Sequence, residues 1–162
     1  MTHRSTASFG KRQEYIAVAE LLRRGFDVYM TLVDDQQIDC IIRQEKGDGL
    51  RYLDIQIKAR SADAKHAATF AALTVRDPRP NFWFIFYSED TGKNGTYWVM
   101  PSLHLARLAN VNKGGQNKQG KNKGKLTIKL ANQTKTGWKP RPKFSVYQNA
   151  FHLLKQRGDS NR

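Results

Sequence analysis

Gln56-Ile57-Lys58 sets an amide and an amine two residues apart. The tripeptide lies in a stretch, Leu50 to Arg60, where Leu53, Ile55, Ile57 and Ala59 alternate with Asp54, Gln56, Lys58 and Arg60. A period of two puts the first set on one face of an extended strand and the second on the other. Most alternating strands simply solvate their polar side. Two further carboxylates give this one a different prospect. Asp39 is embedded in an otherwise apolar β run, Ile38 to Arg43, where a lone carboxylate is either the first residue of the strand leaning into the turn or a ligand. Glu14 falls on a helical segment beside Val18, Leu21 and Leu22, which turns it towards the packed side. A carboxylate facing a core is costly unless something there uses its charge, although a helix start also favours one through the macrodipole. Together, Glu14, Asp39, Gln56 and Lys58 have the composition that phosphodiester hydrolysis needs. Carboxylate, amide or backbone carbonyl oxygens bind a hard divalent cation. The cation lowers the pKa of a bound water. A lysine beside it orients or deprotonates that water and offsets developing negative charge.

The elements that must position these groups can be read from the same half of the chain. Gly10 to Arg24 reads as a helix, with Ser8 near its N-cap, Gly25 as its stop, and Tyr15, Val18, Ala19 and Leu22 as its apolar stripe. Glu20 and Arg24 form a surface pair at i, i+4. Asp27 to Val33 and Ile38 to Arg43 read as strands. Lys46-Gly47-Asp48-Gly49 is a hairpin turn into the Leu50–Arg60 strand, which brings Asp39 near the part of the hairpin that holds Gln56 and Lys58.

The order of a helical Glu, an Asp at the start of a strand, and (Asp/Glu/Gln)-x-Lys on the next strand resembles the PD-(D/E)XK nuclease superfamily. The resemblance covers Gly10 to Arg60: Glu14 ahead of Leu21-Leu22-Arg23-Arg24-Gly25, Asp39 in Asp35-Gln36-Gln37-Ile38-Asp39, and Gln56-Ile57-Lys58. Similar arrangements occur in archaeal-type Holliday-junction resolvases and restriction-type endonucleases. The resemblance implies an α/β fold with a restriction-endonuclease-like αβββαβ core, a mixed central sheet flanked by helices. It implies cleavage of DNA with Mg²⁺ or Mn²⁺ as cofactor. It makes Glu14, Asp39, Gln56 and the backbone carbonyl of Ile57 the metal set, and Lys58 the catalytic amine. It also implies a homodimer, so that two sites cut two strands. The chain departs from the pattern in one place, since glutamine stands where the third motif usually has an acid. Asp54, two residues earlier on the same face, is the nearest replacement for that charge, or else an exposed strand carboxylate.

The charge distribution points to the same class of partner. The chain has 162 residues and a net charge of +14. Met1 to Asp90 holds 13 Lys/Arg and 13 Asp/Glu, whereas Thr91 to Gly158 holds 14 Lys/Arg and no acid. An acid-free basic segment of that length calls for a polyanion, with nucleic acid ahead of an anionic membrane. Val111 to Lys125, rich in Lys, Gly, Asn and Gln, cannot bury a core and reads as a flexible basic insertion in one domain spanning 1–162. Lys113, Lys118, Lys121, Lys123 and Lys125 are its expected DNA contacts, with Arg60. Binding through about six such lysines falls about 10³-fold or more between 50 and 200 mM salt.

The rest of the second half reads as core and connections. His66 to Val75 suits a short helix or a strand. Phe82 to Tyr87 is apolar on both faces, as a central buried strand is. Thr96 to Met100 is a strand, Leu103 to Leu108 a helix opened by Pro101, and Leu126 to Leu130 a strand. Thr134 to Lys143 is a second basic loop, and Val146 to Gln156 a closing helix with Tyr147, Phe151 and Leu154 on one side. Cys40 is the only cysteine, which excludes an intrachain disulfide. His66, His104 and His152 lack metal-ligand spacing. No apolar run could span a bilayer, no export segment opens the chain, and no phosphate-cradling loop suggests a nucleotide cofactor. A cytoplasmic protein is the expectation. The alternative to an endonuclease is a catalytically inactive DNA-binding, or RNA-binding, module on the same fold.

Overall fold

The computed structural model describes residues 3–32, 36–62, 64, 68–90, 93–113, 122–134 and 137–155. Helix α1, His3–Arg23, is followed by strands β1, Asp27–Met30, β2, Cys40–Lys46, and β3, Gly49–Arg60. Strand β4 is Thr69–Leu73, β5 is Phe82–Asp90 and β6 is Lys93–Pro101. Helix α2, Ser102–Leu108, leads to the short strands β7, Asn110–Val111, β8, Leu126–Lys129, β9, Ala131–Thr134, and β10, Gly137–Pro140. The central sheet has the order β1-β2-β3-β5-β6. It is mixed: β3 and β5 run parallel and the other neighbours antiparallel. The fold is therefore α/β with a mixed central sheet, as expected. In one detail it differs from the expected element order. The parallel crossover from β3 to β5 passes through β4, which joins a three-stranded sheet of order β4-β8-β7 instead of forming a helix.

Two apolar clusters cover the two faces of the central sheet. On one face Ala17, Val18 and Leu21 of α1 pack on Cys40, Ile42, Leu53, Ile55 and Ile57. On the other, Phe82, Phe84 and Phe86 of β5 pack with Leu105 of α2, Phe70 of β4 and Ile128 of β8. The aromatic run of β5 is thus core and not a stacking platform for bases, with Phe84 and Phe86 fully buried.

Helix α1 stops as its sequence dictates. Gly25 has a φ of +81°. The amide of Phe26 donates to the carbonyl of Leu21 and that of Gly25 to Leu22, a Schellman closure that also brings Phe26 onto Leu21. The helix starts seven residues before Gly10, at His3. Its buried face is shifted by one position from the expected stripe. Tyr15 is 57% and Leu22 54% exposed, while Gln13, Ala17 and Leu21 are buried. The polar Gln13 interrupts the real stripe, and the exposed apolar residues beside it imitate one.

The C-terminal segment also departs from expectation. In place of the helix expected over Val146 to Gln156, the described residues up to 155 form two 3₁₀ turns, Pro142–Tyr147 and Phe151–Leu153, and Gln156 lies outside the described residues. Asn149 separates them at a φ of +48°. Its backbone amide donates to the carbonyl of Tyr97, and its side-chain oxygen accepts the Tyr97 amide. That exchange with β6 replaces helical hydrogen bonds. Tyr147, Phe151 and Leu154 are nonetheless buried as expected. The expected loop Thr134 to Lys143 contains β10, paired with β9. Pro140 is tolerated there because a two-stranded ribbon has only edge strands. Residues 69–73, within the segment open between helix and strand, form β4.

Candidate functional site

The site is built where β2 begins and β3 continues past it. The last pair of that ladder is Cys40 with Ile55. Asp39 stands at a bend one residue before β2, at the turn end of the strand expected over Ile38 to Arg43. Its backbone is held on both sides: the Asp39 amide donates to the Ile55 carbonyl at 2.8 Å, and the Thr31 hydroxyl donates to the carbonyls of Ile38 and Asp39 at 2.7 and 3.1 Å. Its side chain then does what the missing strand would have done. Oδ2 accepts the backbone N–H of Ile57 at 2.5 Å. Within a strand the N–H and C=O of one residue point to the same neighbour, so the Ile57 carbonyl is directed to this same edge. Asp39 is only 6% exposed, so its charge sits in a desolvated place.

Extending the Cys40–Ile55 register by one residue sets Asp39 opposite Gln56. Gln56 is 2% exposed, and its Oε1 has no hydrogen-bond donor among the described residues. Leaving such an oxygen unsatisfied costs about 1–3 kcal/mol, and native structures contain few of them. Gln56 and Lys58 share the β3 face that carries Phe84 and Phe86 at the same register positions on β5. Lys58 is half-buried, and so is Arg60, whose Nε donates to the Thr69 carbonyl at 3.0 Å. A buried carboxylate, an orphaned amide oxygen and a strand carbonyl are oxygen donors of the kind hard divalent cations take. The residues present therefore fit such an ion.

Glu14 comes to this place from the other side of the sheet. Its Oε2 accepts Lys11 Nζ at 2.7 Å and its side chain is 20% exposed. The hydrogen bond to Glu14 holds the Lys11 ammonium above its ordinary pKa, and the charge of Asp39 adds to it. Burial pushes the Cys40 thiol up to about 12, with the charges of Asp39 and then Glu14 contributing. Lys11, Glu14, Asp39 and Cys40 thus share one electrostatic neighbourhood. Among the described residues no group of three or more His, Cys, Asp or Glu gathers. Asp54 does not supply the missing acid: its carboxylate is 15% exposed and committed to Arg79 at 2.6 Å.

Sequence reasoning passed over three residues here. Lys11 could have been found from its i, i+3 spacing to Glu14. Arg79 lies 25 positions from Asp54, and nothing local in the sequence pairs them. Gln13, 2% exposed with an unpartnered Oε1, was hidden by the false stripe beside it.

Of the expected DNA contacts, Lys113 and Lys123 are exposed and Lys125 is half-buried, while Lys118 and Lys121 lie outside the described residues. The ends of the basic segment are tied to each other. The Asn112 amide donates to the Lys125 carbonyl and the Gly124 amide to the Asn112 carbonyl. Of the histidines, His104 shares a hydrogen bond with the Tyr147 hydroxyl at 2.8 Å, His152 is exposed, and His66 lies outside the described residues. Among the described residues no helix is long and apolar enough to cross a membrane.

No family model and no curated protein sequence matches this chain. Among solved structures, the bacterial homing endonuclease I-Ssp6803I is similar to it, with a TM-score of 0.56 over 93% of each chain. The two sequences are 19% identical. At that identity the likeness is one of fold: the chain has the architecture of this nuclease.

Proposed function

We propose that the chain is a single-domain, metal-dependent DNA endonuclease of the PD-(D/E)XK type, with Gln56 in the place of the third-motif acid. One observation carries the reading. A buried carboxylate stands, by extension of the register, opposite a buried residue with an unpartnered amide oxygen where β2 begins and β3 continues past it, with Lys58 next on the same face. The fold it shares with a homing endonuclease supports the reading, as does the acid-free second half. Asp39, Gln56 Oε1 and the Ile57 carbonyl would hold Mg²⁺ or Mn²⁺, with Glu14 contributing charge from the α1 side. Such an ion, when bound, neutralises phosphate charge and makes its water more acidic. The Ile57 N–H fixes the orientation of the Asp39 carboxylate. Lys58 orients the attacking water or takes its proton, and its ammonium offsets charge on the phosphate. Lys113, Lys123 and Lys125 hold the DNA backbone, together with Lys118 and Lys121. Cutting both strands takes two such sites, so the proposal includes a homodimer in a cytoplasmic protein.

Cleavage of plasmid and linear duplex with Mg²⁺, with Mn²⁺ and with chelator tests this. Lys58→Ala is expected to slow cleavage by at least about 10²-fold while leaving DNA binding within about twofold. Unchanged cleavage would sink the site assignment.

A second reading has an observation of its own. Asp39 is the one buried carboxylate at the site, and Glu14 is already paired with Lys11. A neutral Gln56 then marks a DNA-binding module without catalysis. Salt-sensitive binding with no cleavage under any divalent ion would favour it, and competition with RNA of equal length would separate an RNA-binding role.

A further inference from the structure

The candidate site leaves a continuous surface beside it unexplained. Arg60 follows Lys58 on the same face of β3 and donates to the Thr69 carbonyl at 3.0 Å. Thr69 pairs with Lys129 across β4 and β8. An Arg141 guanidinium nitrogen donates to the carbonyl of Lys129 at 3.3 Å, and the Arg141 amide donates to Leu130 at 2.9 Å. A strip of cations, two of them anchored to backbone, therefore runs from the candidate site to the foot of the β9–β10 ribbon.

The ribbon is firmly footed and exposed beyond its foot. Leu130, Ala131 and Phe144 are buried at its base. Trp138 packs against the same apolar cluster. The register pairs Asn132 with Lys139 and Gln133 with Trp138. Strand alternation puts Asn132 and Lys139 on the face away from Trp138, and both are exposed. No carboxylate occurs in the whole segment from Thr91 to Gly158. An exposed polar ribbon is most often mere solvated surface. This one differs in its physical continuity with the site and in what it displays. A two-stranded ribbon is one of the elements that the major groove, about 12 Å wide, admits. Amide side chains pair with adenine edges and lysine with guanine edges there.

From this we infer that β9–β10 is the sequence-reading element. It enters the major groove with Asn132 and Lys139 at base edges, while Arg60, Lys129 and Arg141 hold the phosphates between it and the site. The inference rests on the reading of the chain as a DNA-acting protein. It separates two jobs that the charge pattern merges, since phosphate contacts position and base contacts specify.

The experiment is selection from a random duplex library, with binding of the selected and scrambled duplexes measured across salt concentrations. Three proteins are compared: the full chain, Asn132→Ala/Lys139→Ala, and Lys129→Ala. Thermal melts confirm that all three fold. The full chain is expected to enrich a defined motif. The ribbon variant is expected to lose about 5–150-fold of the preference for that motif per base contact removed, while still binding scrambled duplex. Lys129→Ala is expected to weaken both duplexes alike and to lower the log–log salt slope by about one. The inference is overturned if the ribbon variant keeps the full preference, or weakens both duplexes equally. Sequence-blind binding by a full chain that still cuts overturns it and leaves the cleavage reading standing. A full chain that neither binds nor cuts DNA overturns both.

Discussion

The β2–β3 end and the β9–β10 ribbon both display amides beside charge, in opposite surroundings. At the β2–β3 end the groups are few and dry: Asp39 and Gln56 are buried, and Asp39 is fixed by backbone partners. On the ribbon, Asn132, Gln133 and Lys139 are exposed. The contrast follows the charge count. The balanced first half can place a carboxylate inside because cations and backbone donors are available nearby, whereas the acid-free second half must keep its cations in solvent or against an external anion. Low dielectric makes each polar contact at the first place matter individually. At the second, contacts act through their sum and are screened by salt. A mutation of the same kind should therefore have different consequences at the two places.

The largest difference is expected from truncating the acid. Asp39→Ala leaves the buried Ile57 N–H without its acceptor, which costs about 1–3 kcal/mol, and abolishes cleavage. Asn132→Ala on the ribbon should change stability by no more than about 0.5 kcal/mol. Urea midpoints at constant slope report both values. Equal costs at the two positions would remove the contrast.

The next test uses pH. Burial sets the Cys40 thiol at about 12 against an ordinary 9.0. A thiol whose folded pKa lies above its unfolded value favours folding fully below pH 9.0. That contribution is lost as pH rises towards 12. Between pH 9 and 10 the loss approaches at most about 1.4 kcal/mol. Tyr97, also pushed up to about 12 by burial, titrates in the same range. The comparison of the full chain with Cys40→Ala isolates the thiol. Urea midpoints at pH 8, 9 and 10 should fall more steeply for the full chain. Parallel curves would show that Cys40 does not feel the buried surroundings assigned to the β2–β3 end.

How much of this was legible beforehand depended on the range of the interactions concerned. The two-residue turn Gly47-Asp48, the alternation of β3 and the stop at Gly25 are set by neighbours in sequence, and all three stand in the structure. The buried run of β5 was legible because both of its faces are apolar. The order of Glu14, Asp39, Gln56 and Lys58 was legible as spacing, but their state was not. Asp39 turns out to stand in for a backbone acceptor, and Glu14 to carry Lys11 as a partner. The ion pair of Asp54 with Arg79 spans 25 positions, and the exchange between Asn149 and Tyr97 spans 52. No local pattern encodes either. The buried face of α1 was misread for a different reason: a glutamine occupies it, and sequence periodicity counts apolar residues, not buried ones.

A small expected change in stability carries the sharpest distinction, because its response to Mn²⁺ differs between two accounts of Gln56. Gln56→Met keeps the volume and removes the unpartnered oxygen. As a matter of packing alone, the variant should be as stable as the full chain or more so by up to about 1 kcal/mol. Without added metal, the same outcome is expected if Gln56 is a ligand. The two accounts part on adding Mn²⁺. A protein that binds the ion only when folded gains stability as RT ln(1 + [L]/Kd), so the full chain should melt higher with increasing Mn²⁺ and Gln56→Met should not. Gln56→Glu should behave in the reverse way. Its buried carboxylate beside Asp39 lowers stability without metal, and it gains more than the full chain when the ion is added. Gln133→Met on the exposed ribbon should alter neither response. If Gln56→Met keeps the full Mn²⁺ shift, the orphaned oxygen is a packing feature and the cation, wherever it binds, is held without it.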